Sequence, residues 1–423
     1  DSTRPCDSSS TWYECAYGQQ RRQNGWIKVG HSSRLVSNLF ILSRGLPGID
    51  QCIQVFLTLS IVNMYVSKAD GKDWKYPQTE PYASGFLDVE NGTHRVFWSE
   101  YGNPCGEPVI CVHGGPGGGS DAFVARFFDP KRFRVLMFDQ RGCGKSTPSA
   151  SSNDVDAALK NNTTSHLIDD MNKLRVHRKI DTPMHVFGGS WGSTLSLSYA
   201  IAYPSHVRSL ILRGIFLCRK KDLDFFYQGN AATFAQDRFD MSLPGAYMQY
   251  PEAWEKFVKV IPENERHDMI AAYDRLFSRS PKTPTDIEYQ NEAARAWSSW
   301  EGSTSYLAPH PDSLDEYEKL SFAKAFARIE NHYFVNGAFL GGKGPSNRSQ
   351  NFILENVHRL LTIPIRIVHG RFDNVCPMFQ ADELVDALRR AGHESVELRR
   401  PPAGHSMTER ENCLALTDII EQL

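Results

Sequence analysis

Met184-His185-Val186-Phe187-Gly188-Gly189-Ser190-Trp191-Gly192-Ser193 is the stretch whose reading decides the fold. An apolar run ends at Phe187, glycines stand at 188, 189 and 192, and Ser193 to Tyr203 stays small and apolar until Pro204 stops it. That is the pattern of a strand, a tight turn and a helix. Bulky neighbours would clash in so sharp a turn, and the serine at its apex projects its hydroxyl above the sheet. A G-x-S-x-G match alone arises by chance. The strand–turn–helix setting is what singles out Ser190 as a nucleophile.

Working outward, short apolar runs recur at Val109 to Val112, Val135 to Phe138, Leu210 to Leu212 and Ile365 to Val368. Runs of this length between turn residues suit strands buried on both faces of a parallel sheet. Upstream, Phe86 to Val89 and Arg95 to Trp98 alternate about Asn91-Gly92, a hairpin signal because both turn residues tolerate positive φ. A helical stretch spans Ser165 to Arg178. Strands alternating with helices predict an α/β class with a doubly wound, mostly parallel sheet. From Cys218 the texture changes: strand-like runs vanish and helical spacing prevails across Asp286 to Trp300 and Leu314 to Phe334. The chain is therefore divided into an N-terminal extension (1–75), a first sheet segment (76–217), an inserted, mostly helical cap (218–352) and a second sheet segment (353–423).

A serine needs a base, and the base needs a group to orient it. In the chain order Ser, then Asp or Glu, then His, the downstream candidates stand in loops that follow strands. Asp373 comes just after the Ile365 to Val368 run, and His405 follows the strand-like Val396 to Leu398. Both loops open at the sheet edge where open α/β folds place ligands. The third element is His113-Gly114-Gly115-Pro116-Gly117-Gly118-Gly119, directly after the Val109 to Val112 strand. This loop type donates one backbone N–H to an oxyanion, the other coming from the residue after the nucleophile. Gly115 and Trp191 are the expected donors, and His113 is expected to be structural. Asp139-Gln140-Arg141-Gly142-Cys143-Gly144-Lys145-Ser146 ends like a phosphate-binding loop but lacks its first glycine, so it reads as a structural loop bordering the site.

Composition excludes several classes. The 423 residues carry 47 Lys plus Arg against 49 Asp plus Glu, which leaves no basic excess for a nucleic-acid partner. Nine cysteines, scattered and never in C-x-x-C, point away from a zinc site and a disulfide framework, and toward a reducing, cytoplasmic setting. No metal or other cofactor is expected. Sequons at Asn91, Asn162 and Asn347 carry little weight. No run reaches the roughly 18 apolar residues of a membrane span; Cys52 to Val66 comes nearest and is interrupted by Gln54 and Asn63. The N-terminal residues are expected to lack a fold of their own, as an organellar targeting segment, a gene-model artefact or part of a precursor. Oligomeric state has no sequence signal here.

Taken together these motifs resemble the prolyl aminopeptidases (proline iminopeptidases), α/β-hydrolase serine peptidases. The similarity runs from about Tyr76 to the C-terminus. It includes Pro81-Tyr82-Ala83-Ser84-Gly85-Phe86, the HGGPGGG loop, Asp139 to Gly144, Gly188 to Ser193 and Leu212-Arg213-Gly214-Ile215-Phe216. The resemblance implies an α/β-hydrolase fold and small peptide substrates with N-terminal proline. It further implies that Glu301, in Trp297-Ser298-Ser299-Trp300-Glu301, and Glu330, in Arg328-Ile329-Glu330-Asn331-His332-Tyr333-Phe334, bind the substrate's free imino group. Such a carboxylate pair would reject an internal peptide bond, which carries no charge there. By the same resemblance Phe216, Phe334 and Cys376 line the proline pocket, near Trp191. The alternatives are an esterase, an amidase, an aminopeptidase of other specificity, or a non-catalytic relative. An epoxide hydrolase or dehalogenase would place Asp at the elbow instead of Ser190.

Overall fold

Short apolar runs separated by glycine, proline and polar turns pair into one sheet. The computed structural model describes residues 75–423 apart from 153, 239, 241, 309–310 and 342–350. The expectations for the N-terminal extension, for Cys52 to Val66 and for Asn347 lie outside the described residues. The strands are β1 (Ala83–Val89), β2 (His94–Gly102), β3 (Glu107–Val112), β4 (Phe133–Phe138), β5 (Met184–Ser190), β6 (Val207–Ile215), β7 (Ile365–Val368) and β8 (Val396–Arg399). They lie in the order β1-β2-β4-β3-β5-β6-β7-β8. β1 and β2 are antiparallel, β2 meets β4 antiparallel, and every later pairing is parallel. The hairpin joins β1 to β2 through residues 90–93, a longer loop than a two-residue turn, with Glu90, Asn91 and Gly92 all at positive φ.

The longer helices are α1 (Thr164–His177), α2 (Trp191–Ala202), α3 (Pro251–Lys259), α4 (Met269–Phe277), α5 (Pro284–Thr304), α6 (Pro311–Glu318), α7 (Leu320–Val335), α8 (Phe379–Arg390) and α9 (Arg410–Glu421). Successive strand residues point to opposite faces. Ile110, Leu136, Val186, Leu210 and Ile367 therefore join one core cluster with residues of α1, α2 and α8. Val109, Val135, Phe187, Ile211 and Val368 join a second with Phe127, Phe128 and α9. Both faces are covered, as a doubly wound sheet requires.

Between β6 and β7, which are neighbours in the sheet, the described residues form helices and turns and no strand. α5 begins with a reciprocal cap: the Thr283 hydroxyl accepts from the Asp286 N–H and the Asp286 carboxylate accepts from the Thr283 N–H, with Pro284 in the first turn. Its buried positions 290, 293, 294, 297, 300, 301 and 304 recur at three and four. α7 is buried on all sides through its middle, at 323, 325 to 331, 333 and 334. Glu301 and Glu330 therefore both stand at buried positions of their helices. The helical spacing across Leu314 to Phe334 belongs to two helices, α6 and α7. Lys319 adopts an extended conformation between α6 and α7, and the Tyr317 ring lies against Gly302, where a Cβ would come within 2.8 Å of it. A single extended residue leaves the apolar spacing nearly intact, so periodicity does not register it.

Candidate active site

At the end of β5, Ser190 has φ 58° and ψ −129°, a conformation that ordinarily costs a non-glycine residue on the order of 1–3 kcal/mol. The surrounding glycines make room for it. A Cβ on Gly188 would sit 2.3 Å from the Gly192 carbonyl oxygen, and one on Gly192 would sit 2.2 Å from that of Val112. Strand, turn and helix are packed backbone to backbone. The Ser193 hydroxyl donates to the Ser190 carbonyl at 2.7 Å and accepts from the Phe216 N–H at 3.1 Å, stitching the elbow to the end of β6.

Asp373 and His405 reach this elbow from the loops after β7 and β8. His405 Nδ1 lies 2.8 Å from Asp373 Oδ2, and Asp373 Oδ1 accepts from the Val375 and Cys376 N–H groups at 3.0 and 2.8 Å. Burial alone would raise the Asp373 carboxyl, but the His405 contact and these N–H groups hold it below its ordinary value. His405 is held below the ordinary imidazole range by burial and by the Arg213 charge, against the pull of Asp373. Among the described residues no hydrogen bond joins Ser190 to His405. His405 Nε2 instead faces Arg213 Nη1 at 3.0 Å.

Gly115, Gly117 and Gly119 all take positive φ in the loop after β3. The Gly115 N–H makes no backbone hydrogen bond among the described residues, and Trp191, first in α2, has no intrahelical acceptor for its own. His113 is structural, as expected: Nε2 accepts from the Gln140 N–H at 2.9 Å. The Asp139 to Ser146 loop does more than border the site. Asp139 accepts from the Ser120 N–H and hydroxyl and from the Lys145 N–H. The Gln140 amide donates to the His113 carbonyl and accepts from the Trp191 indole, each at 2.9 Å. One side chain thus clamps the glycine loop to the elbow, and it turns the Trp191 ring toward Gln140.

Ser190 and His405 line a cavity of about 400 Å³ together with Gly115, Phe216, Phe334, Cys376, Glu301 and Glu330. Phe216 and Phe334 meet edge to face at 5.9 Å. Burial pushes the Cys376 thiol far up, so it stays neutral and serves as an apolar wall. Glu301 accepts from the Tyr227 hydroxyl, and Glu330 accepts from Trp297 Nε1 at 2.7 Å. Tyr227 stacks on Trp297 with ring centroids 4.6 Å apart. Burial, opposed by the Tyr227 hydrogen bond, pushes the Glu301 carboxyl up to about 7. Burial and then the neighbouring Glu301 charge drive Glu330 well above the carboxylate range. Burial and mutual repulsion thus both disfavour full ionisation of the pair.

The alpha/beta hydrolase fold family matches residues 107–409. The proline iminopeptidase of Arabidopsis thaliana is 44% identical over 335 residues, covering 79% of this chain and 78% of that one. A probable proline iminopeptidase of Leptolyngbya boryana is 43% identical over 347 residues, 82% of this chain and 96% of its own. The chain belongs to the proline iminopeptidase family of α/β-hydrolases. The solved structure of VinJ, 19% identical, covers 81% of this chain and 98% of its own with a TM-score of 0.51, and shares the fold.

For a proline iminopeptidase family member, the motifs left three side chains at the site without a role. Tyr227 lies in the insertion with no sequence signal beyond the general aromatic enrichment. Trp297 was visible in its motif only as a neighbour of Glu301. Arg213 had a signal, a cation directly after the apolar Leu210 to Leu212 run of β6. Of the sequons, Asn91 is exposed on the hairpin, whereas Asn162 is buried and its amide donates to the Arg141 and Ala158 carbonyls. Among the described residues no group of three or more His, Cys, Asp or Glu is placed to hold a metal, and no helix is long and apolar enough to cross a membrane.

Proposed function

We propose that this chain is a serine aminopeptidase that releases N-terminal proline from small peptides. The observation that carries this reading is the meeting, in one cavity, of Ser190 with two buried carboxylates, Glu301 and Glu330. A desolvated carboxylate pair complements one secondary ammonium. It also discriminates against an N-blocked or internal residue, which leaves the carboxylate unpaired. Phe216, Phe334 and Cys376 supply an apolar wall of the right character for a pyrrolidine ring.

In this mechanism Ser190 Oγ attacks the prolyl carbonyl carbon and its proton passes to His405 Nε2. Asp373 orients the imidazole, and the Gly115 and Trp191 N–H groups receive the developing oxyanion. His405 then protonates the leaving amine and the C–N bond breaks, leaving a prolyl ester on Ser190. Water, with its proton taken by His405, hydrolyses that ester. Six free cysteines among the described residues, five of them buried, suit a reducing compartment such as the cytoplasm.

Release of the reporter from a prolyl-arylamide tests the reading, with alanyl, leucyl and N-acetylprolyl analogues alongside. Prolyl should be cleaved fastest and the N-acetyl compound hardly at all. Equal cleavage of the N-acetyl compound would sink the role of Glu301 and Glu330. Faster hydrolysis of simple esters than of any aminoacyl-arylamide would place the chain with the esterases.

A further inference from the structure

Arg213 is the one cation among the lining residues of the cavity, and its surroundings are unusual for a guanidinium. It lies on β6 directly opposite Gly189 of β5. A Cβ on Gly189 would come within 2.6 Å of the guanidinium, so the strand before Ser190 is hollowed out to let Arg213 through. The side chain is buried, makes no ion pair within 4 Å among the described residues, and leaves Nε without a hydrogen-bond partner. Its Nη1 reaches His405 twice, at the backbone carbonyl (2.9 Å) and at Nε2 (3.0 Å).

A guanidinium can only donate. His405 Nε2 must therefore be the acceptor in this contact, which puts the ring proton on Nδ1, facing Asp373. We propose that Arg213 is a positioning residue that holds His405 as the neutral Nδ1–H tautomer in the resting state, occupies the lone pair Ser190 needs, and swings off when the imidazole is protonated. The proposal rests on the reading of Ser190 and His405 as nucleophile and base. Once Nε2 carries the serine's proton, two cationic donors face each other at hydrogen-bond distance, and the contact becomes repulsive. The buried Nε, without a hydrogen-bond partner among the described residues, shows that Arg213 has unspent donor capacity. The latch thus guards the tautomer in the empty enzyme and gives way during turnover.

The titratable groups around the imidazole are Asp373 and His369 from β7 and its loop, Cys376 beyond them, Arg213 from β6 and Glu409 near the His405 loop, with Glu301, Tyr306 and Tyr317 from the helices of the insertion. Arg213 alone touches Nε2 among the described residues. A sulfonyl fluoride that lacks an amine reports on His405 without engaging Glu301 and Glu330. Its inactivation rate should fall as pH drops through the His405 titration. In Arg213→Met that acid limb should move up by about one pH unit, since a like charge in contact with the imidazole is removed. Arg213→Lys, which keeps the charge, should restore the original limb. An unmoved limb in Arg213→Met, with Ser190 still the residue sulfonylated, overturns the latch and leaves the nucleophile reading intact. Sulfonylation elsewhere overturns that reading itself.

Should Arg213→Met fail to fold, the crystal structure of the wild-type protein phosphonylated on Ser190 decides. The latch expects Arg213 beyond hydrogen-bond reach of Nε2 in that adduct. A guanidinium still within reach of it overturns the proposal.

Discussion

The rim of the sheet and the interior of the helical insertion contribute to the same cavity by different physical means. Along the rim, Ser190 ends one parallel strand while Asp373 and His405 follow two others, and backbone pairing fixes the strands that carry them. In the insertion, Glu301 and Glu330 sit at buried positions of α5 and α7, wrapped in Trp297, Tyr227 and Phe334. The rim handles charge by pairing it: Asp373 accepts hydrogen bonds from His405 and two N–H groups and stays ionised. The insertion gives its carboxylates only the neutral donors Tyr227 and Trp297, so burial raises the Glu301 and Glu330 carboxyls. The difference teaches that the sheet fixes positions through its backbone, whereas the insertion sets charge through burial.

Substitutions can break this division of labour. The largest effect is expected from Ser190→Ala, which should lower kcat on a prolyl-arylamide by about 10⁶-fold with little change in substrate binding. Retained activity would remove the rim from the chemistry. Asp373→Asn should cost roughly 10⁴-fold in kcat, because the ring tautomer is no longer enforced from the Nδ1 side. In the insertion the loss should appear in a different constant. Glu301→Gln is expected to lower kcat/KM by about 10²–10³-fold, chiefly through KM, since a buried partner for the ammonium is lost. A loss confined to kcat would mean that the cap takes part in the chemical step.

A finer test uses pH. Glu301, pushed up to about 7, loses its charge as pH falls through that value. KM should therefore rise as pH falls through about 7, whereas Glu301→Gln should show a KM that no longer follows pH there. The smallest effect is expected from Tyr227→Phe, about tenfold in KM. Removing the hydroxyl also removes the hydrogen bond that opposes the Glu301 shift, so the KM–pH curve should move to higher pH. An unmoved curve would assign Tyr227 to packing alone.

The two regions also differed in how far they could be read beforehand. The elbow and the glycine loop are backbone devices, and backbone devices leave compositional marks: Gly188, Gly189 and Gly192 are small because Gly192, Arg213 and Val112 come close. The chain order of Ser190, Asp373 and His405 was visible for the same reason, each standing at or just beyond the end of a strand. The roles of Glu301 and Glu330 came from resemblance, because a glutamate in a helix looks the same whether it faces water or tryptophan. Tyr227 went unread among many aromatics, and Arg213 was read only as part of the Leu212 to Phe216 motif. The break at Lys319 was invisible to periodicity.

By itself, the sequence determined the alternation of strands and helices, the serine at the sharp turn, and the two strand-following loops that bring an acid and a base to it. These are local matters of apolar spacing, glycine placement and chain order. Only the tertiary structure decided which charges are buried, which carboxylate meets Tyr227 and which meets Trp297, and that Arg213 rather than Ser190 faces His405 Nε2. Those depend on packing between segments far apart in the chain. Desolvation there, set by the neighbours a side chain finally meets, governs whether a carboxyl holds its proton and a guanidinium finds a partner.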